Sequence, residues 1–141
     1  MKRKKSIILT LVFFVVILSV IFMIFSIDKK TNKLVTDYIK GYGWQIQENP
    51  SEICHITIPP EFDSVYVSYN NIQKNAGFNL EEYKGKTVTR YTYKVFNHKK
   101  SSVEDVFISV ILHKDKIIAS DISSNGKVPF IYEISNTSEL V

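Results

Sequence analysis

A long apolar run behind a basic amino terminus is the feature that most constrains this chain. The run extends from residue 7 to about residue 27. About twenty apolar residues match the hydrocarbon thickness that a spanning helix has to cross. The sequence therefore predicts a cytoplasmic tail at residues 1–5 and a transmembrane anchor at residues 6–27. The basic residues that precede the run are Lys2, Arg3, Lys4 and Lys5.

These four basic residues also predict the orientation of the anchor. Cationic residues that flank a first span stay on the cytoplasmic side, and the segment after the run carries a weaker net charge. We therefore expect a single-pass protein of the cell membrane whose amino terminus lies inside and whose remaining domain lies outside. A cleaved signal peptide is the alternative, but its apolar core is usually about 7–15 residues long and ends at small residues. This run continues through Ile24 and Phe25.

One extracytoplasmic domain, residues 28–134, is expected after the anchor, followed by a loose tail at 135–141. Four of the 18 Lys and Arg residues precede the apolar run, and the remaining 14 balance the 14 Asp and Glu residues. A domain with balanced charge lacks the basic stripe that nucleic-acid binding requires, so no nucleic-acid partner is expected. The single cysteine, Cys54, allows no intramolecular disulfide and is expected to be a small buried residue.

Periodicity and end signals predict two helices in this domain. A short helix is expected from Thr31 or Asn32 to Gly41. The main helix is expected to open at Asp63, which can act as its N-cap, and to stop at Gly77. The predicted buried stripe of the main helix comprises Val65, Tyr66, Tyr69, Ile72 and Ala76.

The rest of the domain has the two-residue alternation that is typical of strands. Segments of this kind joined by short polar reversals favour an antiparallel meander. The fold class is therefore α+β: a transmembrane helix followed by a two-layer domain, in which an antiparallel sheet carries one main helix on one face. The predicted strands are 44–47, 53–58, 87–96, 103–112 and 117–122, with an edge strand at 130–134.

A distinctive block in the middle of the chain comprises Tyr69, Asn70, Asn71, Ile72, Gln73, Gly77, Phe78, Asn79 and Leu80. It resembles the central motif of the DUF4830 family of bacterial, mostly Firmicute, proteins. The resemblance covers roughly residues 34–122, and Asp121 stands where the family carries an aspartate after its last long hairpin. The family has no assigned activity. The resemblance therefore implies an external α+β domain behind a membrane anchor, and no reaction.

No common catalytic signature is present in the sequence. The nearest nucleophile is Cys54, which together with Arg90 and a histidine offers the residue types of sortases. A reactive thiolate needs an imidazole within hydrogen-bond reach. His55 should point away from Cys54 because side chains alternate along a strand, which leaves His98 and His113. The order of these residues and the missing Thr-Leu-x-Thr-Cys context do not fit the sortase pattern.

Metal-binding and acid–base chemistry are not predicted either. The three histidines are scattered over a strand, a loop and a hairpin turn, and no pair of them has chelating spacing. The adjacent acidic pairs at 81–82 and 104–105 do not predict an acid and base, since neighbouring residues seldom face each other. No cofactor and no metal is expected.

One polar and aromatic cluster is a candidate surface for a ligand or partner. On the main helix, Tyr66, Asn70 and Gln73 share one flank. If this flank borders the tyrosines of the long strand, rings and amides would form a surface suited to sugars or peptides. The alternative is that the tyrosines are core residues. The candidate surface comprises Tyr66, Asn70, Gln73, Tyr91, Tyr93 and Asp121.

These observations favour a non-enzymatic role in binding, sensing or assembly at the cell envelope. The expected partners are the membrane itself and an envelope protein, a peptide or a glycan. The alternative is an anchored extracytoplasmic enzyme, a thiol enzyme using Cys54 or another hydrolase. A third possibility is that the domain regulates a membrane partner through the span.

Overall fold

Two helices and five strands form the part of the chain that the computed structural model describes. It describes the backbone from Lys2 to Val141 and the side chains of residues 12–19 and 29–141. The chain divides into a first unit that ends at Lys33 and a second unit, Leu34–Val141. The elements are α1 (Lys2–Lys40), β1 (Glu52–Thr57), α2 (Ser64–Asn75), β2 (Thr87–Lys94), β3 (Phe107–His113), β4 (Lys116–Ser124) and β5 (Phe130–Glu133), with short 3-10 turns at Leu80–Tyr83 and Thr137–Glu139.

The first unit belongs to α1. Seven successive apolar side chains, from Val12 to Leu18, are 37–64% exposed. Within the described residues, no helix combines the length and the apolar character needed to cross a membrane. Most of the predicted anchor at 6–27, and the side chains of residues 2–5, lie outside the described side chains.

The carboxyl end of α1 is as predicted, but its start is not. The N–H of Gly41 donates to the Asp37 carbonyl at 3.0 Å, and Gly43 has a φ of 87°. Thr31 and Asn32 lie inside α1, so the prediction of a separate short helix is wrong. The sequence has neither glycine nor proline between residues 2 and 40, the two residue types that most readily interrupt a helix.

The sheet is an antiparallel meander in which every strand pairs with the next one along the chain, β1-β2-β3-β4-β5. The α+β class and the antiparallel sheet are therefore confirmed. The predicted strand at 44–47 is reduced to an isolated bridge between Ile46 and Val95. β3 starts later than predicted because the N–H groups of Val103 and Glu104 both donate to the Lys100 carbonyl, each at 3.0 Å, and form a turn.

Helical segments cover both faces of the sheet, so the prediction of two layers with one covering helix is wrong. On one face, here called the α1 face, Val35 and Ile39 from the end of α1 pack with Trp44 against the sheet. The opposite α2 face is covered by α2 and by the 3-10 turn Leu80–Tyr83. Both faces need cover because the middle strands are apolar on both sides. The buried sheet residues are Tyr93, Ile108, Val110, Leu112 and Ile122 on the α1 face, and Val88, Ile111, Ile118 and Ala119 on the α2 face.

α2 has the predicted ends but only part of the predicted buried stripe, since Tyr66 and Tyr69 pack against the core of the α2 face. Asp63 caps it by accepting the N–H of Tyr66 at 2.8 Å, and Gly77 follows its end with a φ of 84°. The fully buried residues of α2 are the polar Asn70 and Gln73, whereas Val65 is 73% exposed. The helix is therefore rotated so that amides face inward and part of its apolar side stays open.

The chain end is hydrogen-bonded to the domain, which corrects the prediction of a loose tail at 135–141. Leu140 forms an isolated bridge with His98 and packs against the core of the α1 face. The N–H of Lys99 donates to the Glu139 carbonyl, and the N–H of Val141 donates to the carbonyl of residue 97, both at 2.9 Å. The tail belongs to the second unit.

Candidate functional site

A row of polar side chains, here called the polar row, crosses all five strands on the α2 face. The register pairs each member with the next one across the sheet. Directly paired residues of antiparallel strands point to the same face. The row lies beside the apolar residues that α2 covers, at the border between covered and open sheet. Its members are Glu52, Thr92, Ser109, Asp121 and Glu133.

Asp121 is the buried acid of the polar row, with 4% of its surface exposed. The hydroxyl of Tyr69, from α2, donates to Asp121 Oδ2 at 2.8 Å. Burial raises the pKa of Asp121 to about 6, although hydrogen bonds from Tyr69 and Ser123 and the charge of Arg90 act to lower it. Burial and the negative charge of Asp121 raise the pKa of Tyr69 well above its ordinary value. The site thus holds an acid that titrates close to neutral pH.

Arg90 lies on β2 beside the polar row, and its Cα partner on β1 is Cys54. Arg90 Nη2 donates to Glu52 Oε2 at 2.9 Å. Burial acts to lower the pKa of Arg90, but the hydrogen bond to Glu52 and the neighbouring Cys54 raise it above its ordinary value. Arg90 Nε is buried and has no hydrogen-bond partner among the described residues. The Arg90 guanidinium is therefore held by Glu52 and lies beside Cys54.

An apolar groove of about 500 Å³, here called the α2–β5 groove, opens between α2 and the edge strand. Ile131 supplies its β5 wall. On the α2 side the groove is lined by Val65, Tyr66, Tyr69 and Ile72 together with two serines. The groove follows from the rotation of α2, because the apolar residues that the amides displace from the core remain accessible.

A second cavity, here called the Arg90 cleft, has a volume of about 380 Å³ on the open part of the α2 face. Ser123 lines this cleft, whereas Tyr69 lines the α2–β5 groove, and both donate hydrogen bonds to Asp121. The buried carboxylate thus connects the walls of the two cavities. The main lining residues of the cleft are Glu52, Arg90, Thr92, Phe107, Ser109 and Asn125.

The structure separates the predicted candidate residues. Tyr93 is fully buried on the α1 face and Tyr91 packs against the same core, so neither borders α2. The alternation along β2 is as predicted, but α2 covers the other face. Tyr66 lines the α2–β5 groove. Asp121 accepts a hydrogen bond from Tyr69, which also lines this groove.

Asn70 and Gln73 hold backbone groups rather than facing a cavity. Asn70 Oδ1 accepts the N–H of Leu80 at 2.8 Å. Gln73 Oε1 accepts the N–H of Ser120 at 2.9 Å, one residue beyond the stretch of β4 that pairs with β5. Both amides therefore fix α2 to the rest of the domain.

Cys54 is partly buried rather than buried as predicted. The histidines have other contacts: His55 Nδ1 is 3.1 Å from Thr89 Oγ1, and His113 packs edge-on against an aromatic ring. His98 is buried between Trp44 and Phe130, and burial lowers its pKa. In the described part of the chain, none of the hydrogen bonds or ring contacts of the histidines involves Cys54. No group of metal-ligating side chains could hold an ion among the same residues.

The residues of the Arg90 cleft were largely missed by sequence reasoning. The sequence indicates Arg90 as a possible partner of Cys54, but not as part of a cleft. One available signal is Ser109, the single polar residue within the apolar stretch 106–112. A polar residue inside such a strand is costly to bury unless it is hydrogen-bonded or faces solvent, so Ser109 indicates an open position on the sheet.

A family model described as Domain of unknown function (DUF4830) matches residues 38–122. The predicted resemblance is thereby confirmed. The matched region includes Tyr69, Arg90 and Asp121, and it ends within β4. No curated protein and no solved structure matches the chain.

Proposed function

This chain belongs to the DUF4830 family, and from that premise we propose that its second unit is a non-enzymatic binding module held at the outer face of the cell membrane. Residues 6–27 act as the anchor, with the amino terminus in the cytoplasm. The module binds an envelope protein, a peptide or a glycan, in a sensing or assembly role.

The α2–β5 groove is the observation that carries the binding role. Its volume of about 500 Å³ falls within the range of small-molecule sites, about 300–1,000 Å³. Val65 is 73% exposed and Ile131 is 40% exposed. A helix that only covered the sheet would bury such side chains, since burial of apolar area stabilises a fold. Clustered exposed apolar residues are typical of a surface that another molecule covers.

The sequence supports the anchor. Four basic residues precede an apolar run of spanning length. The described side chains of this run, from Val12 to Leu18, are exposed. Apolar side chains are more stable in lipid than in water.

A thiol enzyme using Cys54 has one observation in its favour, because Cys54 lies beside the cationic Arg90. A cation favours a thiolate. The mechanism also needs a base, and the three histidines contact Thr89, Trp44, Phe130 and Tyr83 instead. The geometry therefore supports binding better than thiol catalysis.

The topology is tested by cysteine labelling of the full chain in intact cells. Cys54→Ser removes the only native thiol, and Val103→Cys places a new one at a position that is 82% exposed. A membrane-impermeant maleimide should label Val103→Cys in intact cells. The matched variant Lys2→Cys should be labelled only after permeabilisation. The opposite pattern, or recovery of the labelled domain in the medium, would overturn the anchored topology.

The binding role is tested by a photoreactive amino acid at Val65 of the full chain in native membranes. The control has the same amino acid at Val103, which is exposed outside both cavities. A discrete adduct is expected at position 65, absent at position 103 and lost when Ile131→Asp is added. Equal adducts at both positions would contradict a binding groove.

A further inference from the structure

The Arg90 cleft has the chemistry of a second site, and we propose that it binds a neutral saccharide. This inference deepens the proposed binding function and rests on it. The cleft lies on the open part of the α2 face, where side chains of β1, β2, β3 and β4 meet. Its volume of about 380 Å³ is at the small end of the range for ligand sites, about 300–1,000 Å³.

Hydroxyl, amide and guanidinium groups line the cleft. Thr92 and Ser109 face each other across the strand pair with their hydroxyl oxygens 3.5 Å apart, a distance at which each has capacity for a further bond. Asn125 adds an amide that donates and accepts. The guanidinium of Arg90 adds N–H donors beside its bond to Glu52. Sugar hydroxyls, which both donate and accept, complement all of these groups.

The charges of the cleft favour a neutral ligand over an anion. Glu52 neutralises Arg90 through the 2.9 Å hydrogen bond. The next cation along β2, Lys94, pairs with Asp105 at 2.6 Å. An anionic ligand would have to displace Glu52 before it gained the charge of Arg90, whereas a neutral polyol can bind beside the intact pair.

Phe107 gives the cleft one apolar wall. It lies on β3 opposite Lys94 and Ser123 and is half-buried. An aromatic ring presents a flat, electron-rich face. The C–H side of a sugar ring can pack on such a face while its hydroxyl groups reach the polar row.

The position of the cleft within the sheet argues against an extended peptide. Peptides that add to a sheet use the free backbone groups of an edge strand. Arg90, Thr92, Phe107 and Ser109 lie on β2 and β3, which are paired on both sides. The β2 and β3 residues of the cleft can therefore recognise a ligand only through their side chains.

The test is an NMR titration of the purified full chain in zwitterionic micelles whose detergent carries no sugar head group. The neutral probes are maltotriose and tri-N-acetylchitotriose, and the anionic probes are glutamate and inorganic phosphate. At least one trisaccharide should shift the amide signals of Thr92 and Ser109. Arg90→Met should weaken that binding by about tenfold or more, since hydrogen bonds from charged groups are among the strongest.

The matched control is Lys74→Met, which breaks a comparable exposed ion pair, Lys74–Glu81 at 3.2 Å, outside the cleft. It should leave the affinity unchanged. If Arg90→Met does not fold, Asn125→Ala serves as the test of the cleft instead. Asn125 is exposed, so its replacement should weaken saccharide binding without unfolding the chain.

Three results would overturn the proposal: neither trisaccharide shifts the signals, only an anionic probe binds, or Asn125→Ala and Arg90→Met both leave the affinity unchanged. The titration uses purified protein and reads the cleft alone. Its failure is therefore distinguishable from a failure of the membrane topology or of the α2–β5 groove, which are tested in cells and membranes.

Discussion

The two faces of the sheet differ in what their side chains contact. On the α1 face the central residues are buried and mostly apolar, and Trp44 Nε1 satisfies its one donor on the Ile134 carbonyl at 2.9 Å. On the α2 face the apolar cover is partial, and the polar row and both cavities lie beside it. The comparison indicates that the α1 face supplies most of the apolar core. The α2 face can therefore carry polar residues and a binding site.

The largest effect is expected from a cavity in the α1 face. Ile108→Ala removes a fully buried side chain and should lower the free energy of unfolding by about 2–5 kcal/mol. Urea unfolding of the full chain in micelles, followed by the fluorescence of the only tryptophan, Trp44, measures it. The control Ile53→Ala, at a site that is 47% exposed, should cost less than about 1 kcal/mol. If Ile108→Ala and Ile53→Ala lowered the free energy of unfolding equally, the α1 face would not hold the main core.

The second effect is a pH dependence of stability that originates in Asp121, on the α2 face. The pKa of Asp121 is raised from 3.8 to about 6, so the folded chain binds this proton more tightly than the unfolded chain. The contribution to stability is then present below pH 3.8 and is lost as the pH rises through about 6, by on the order of 3 kcal/mol.

Asp121→Asn tests this sign, because the amide can still accept from Tyr69 and donate to Ser123. Unfolding free energies of the native chain and the variant are compared between pH 4 and pH 7. The difference between them should shift in favour of the variant as the pH rises. Parallel curves would show that Asp121 does not titrate in this window.

The smallest effect is expected from the amides that fix α2. Asn70→Ala leaves the buried N–H of Leu80 without its acceptor and should cost about 1–3 kcal/mol of unfolding free energy. The neighbouring Asn71 is exposed, and Asn71→Ala should change stability by no more than about 0.5 kcal/mol. Similar values for both would mean that Asn70 does not hold the helix.

Local signals explain which parts of the fold could be predicted. The ends of α2 follow from Asp63 and Gly77, whose roles depend only on the adjacent backbone. The meander follows from short reversals between alternating segments. The face to which each segment turns depends on packing between distant elements. This is why the sequence leaves open whether Tyr91 and Tyr93 border α2 or lie in the core, and why it does not predict the cover by α1.

The candidate site was less predictable than the fold. The family resemblance indicates Asp121, whereas no periodicity in the chain distinguishes it. The polar row exists only once the register of four strand pairs is fixed. A shift of one residue in any pair would turn the affected strand's polar residue to the other face. Single-sequence patterns do not specify that register.

The sequential strand order also has a consequence for the kinetics of folding. Each strand pairs with its predecessor, so most pairings close short loops, and proteins of low contact order fold fast. The hydrogen bond between Trp44 and Ile134 is an exception, since it joins residues 90 positions apart. During synthesis the strands can therefore pair one after another. The hydrogen bond from Trp44 to Ile134, however, can form only after residue 134 has been synthesised.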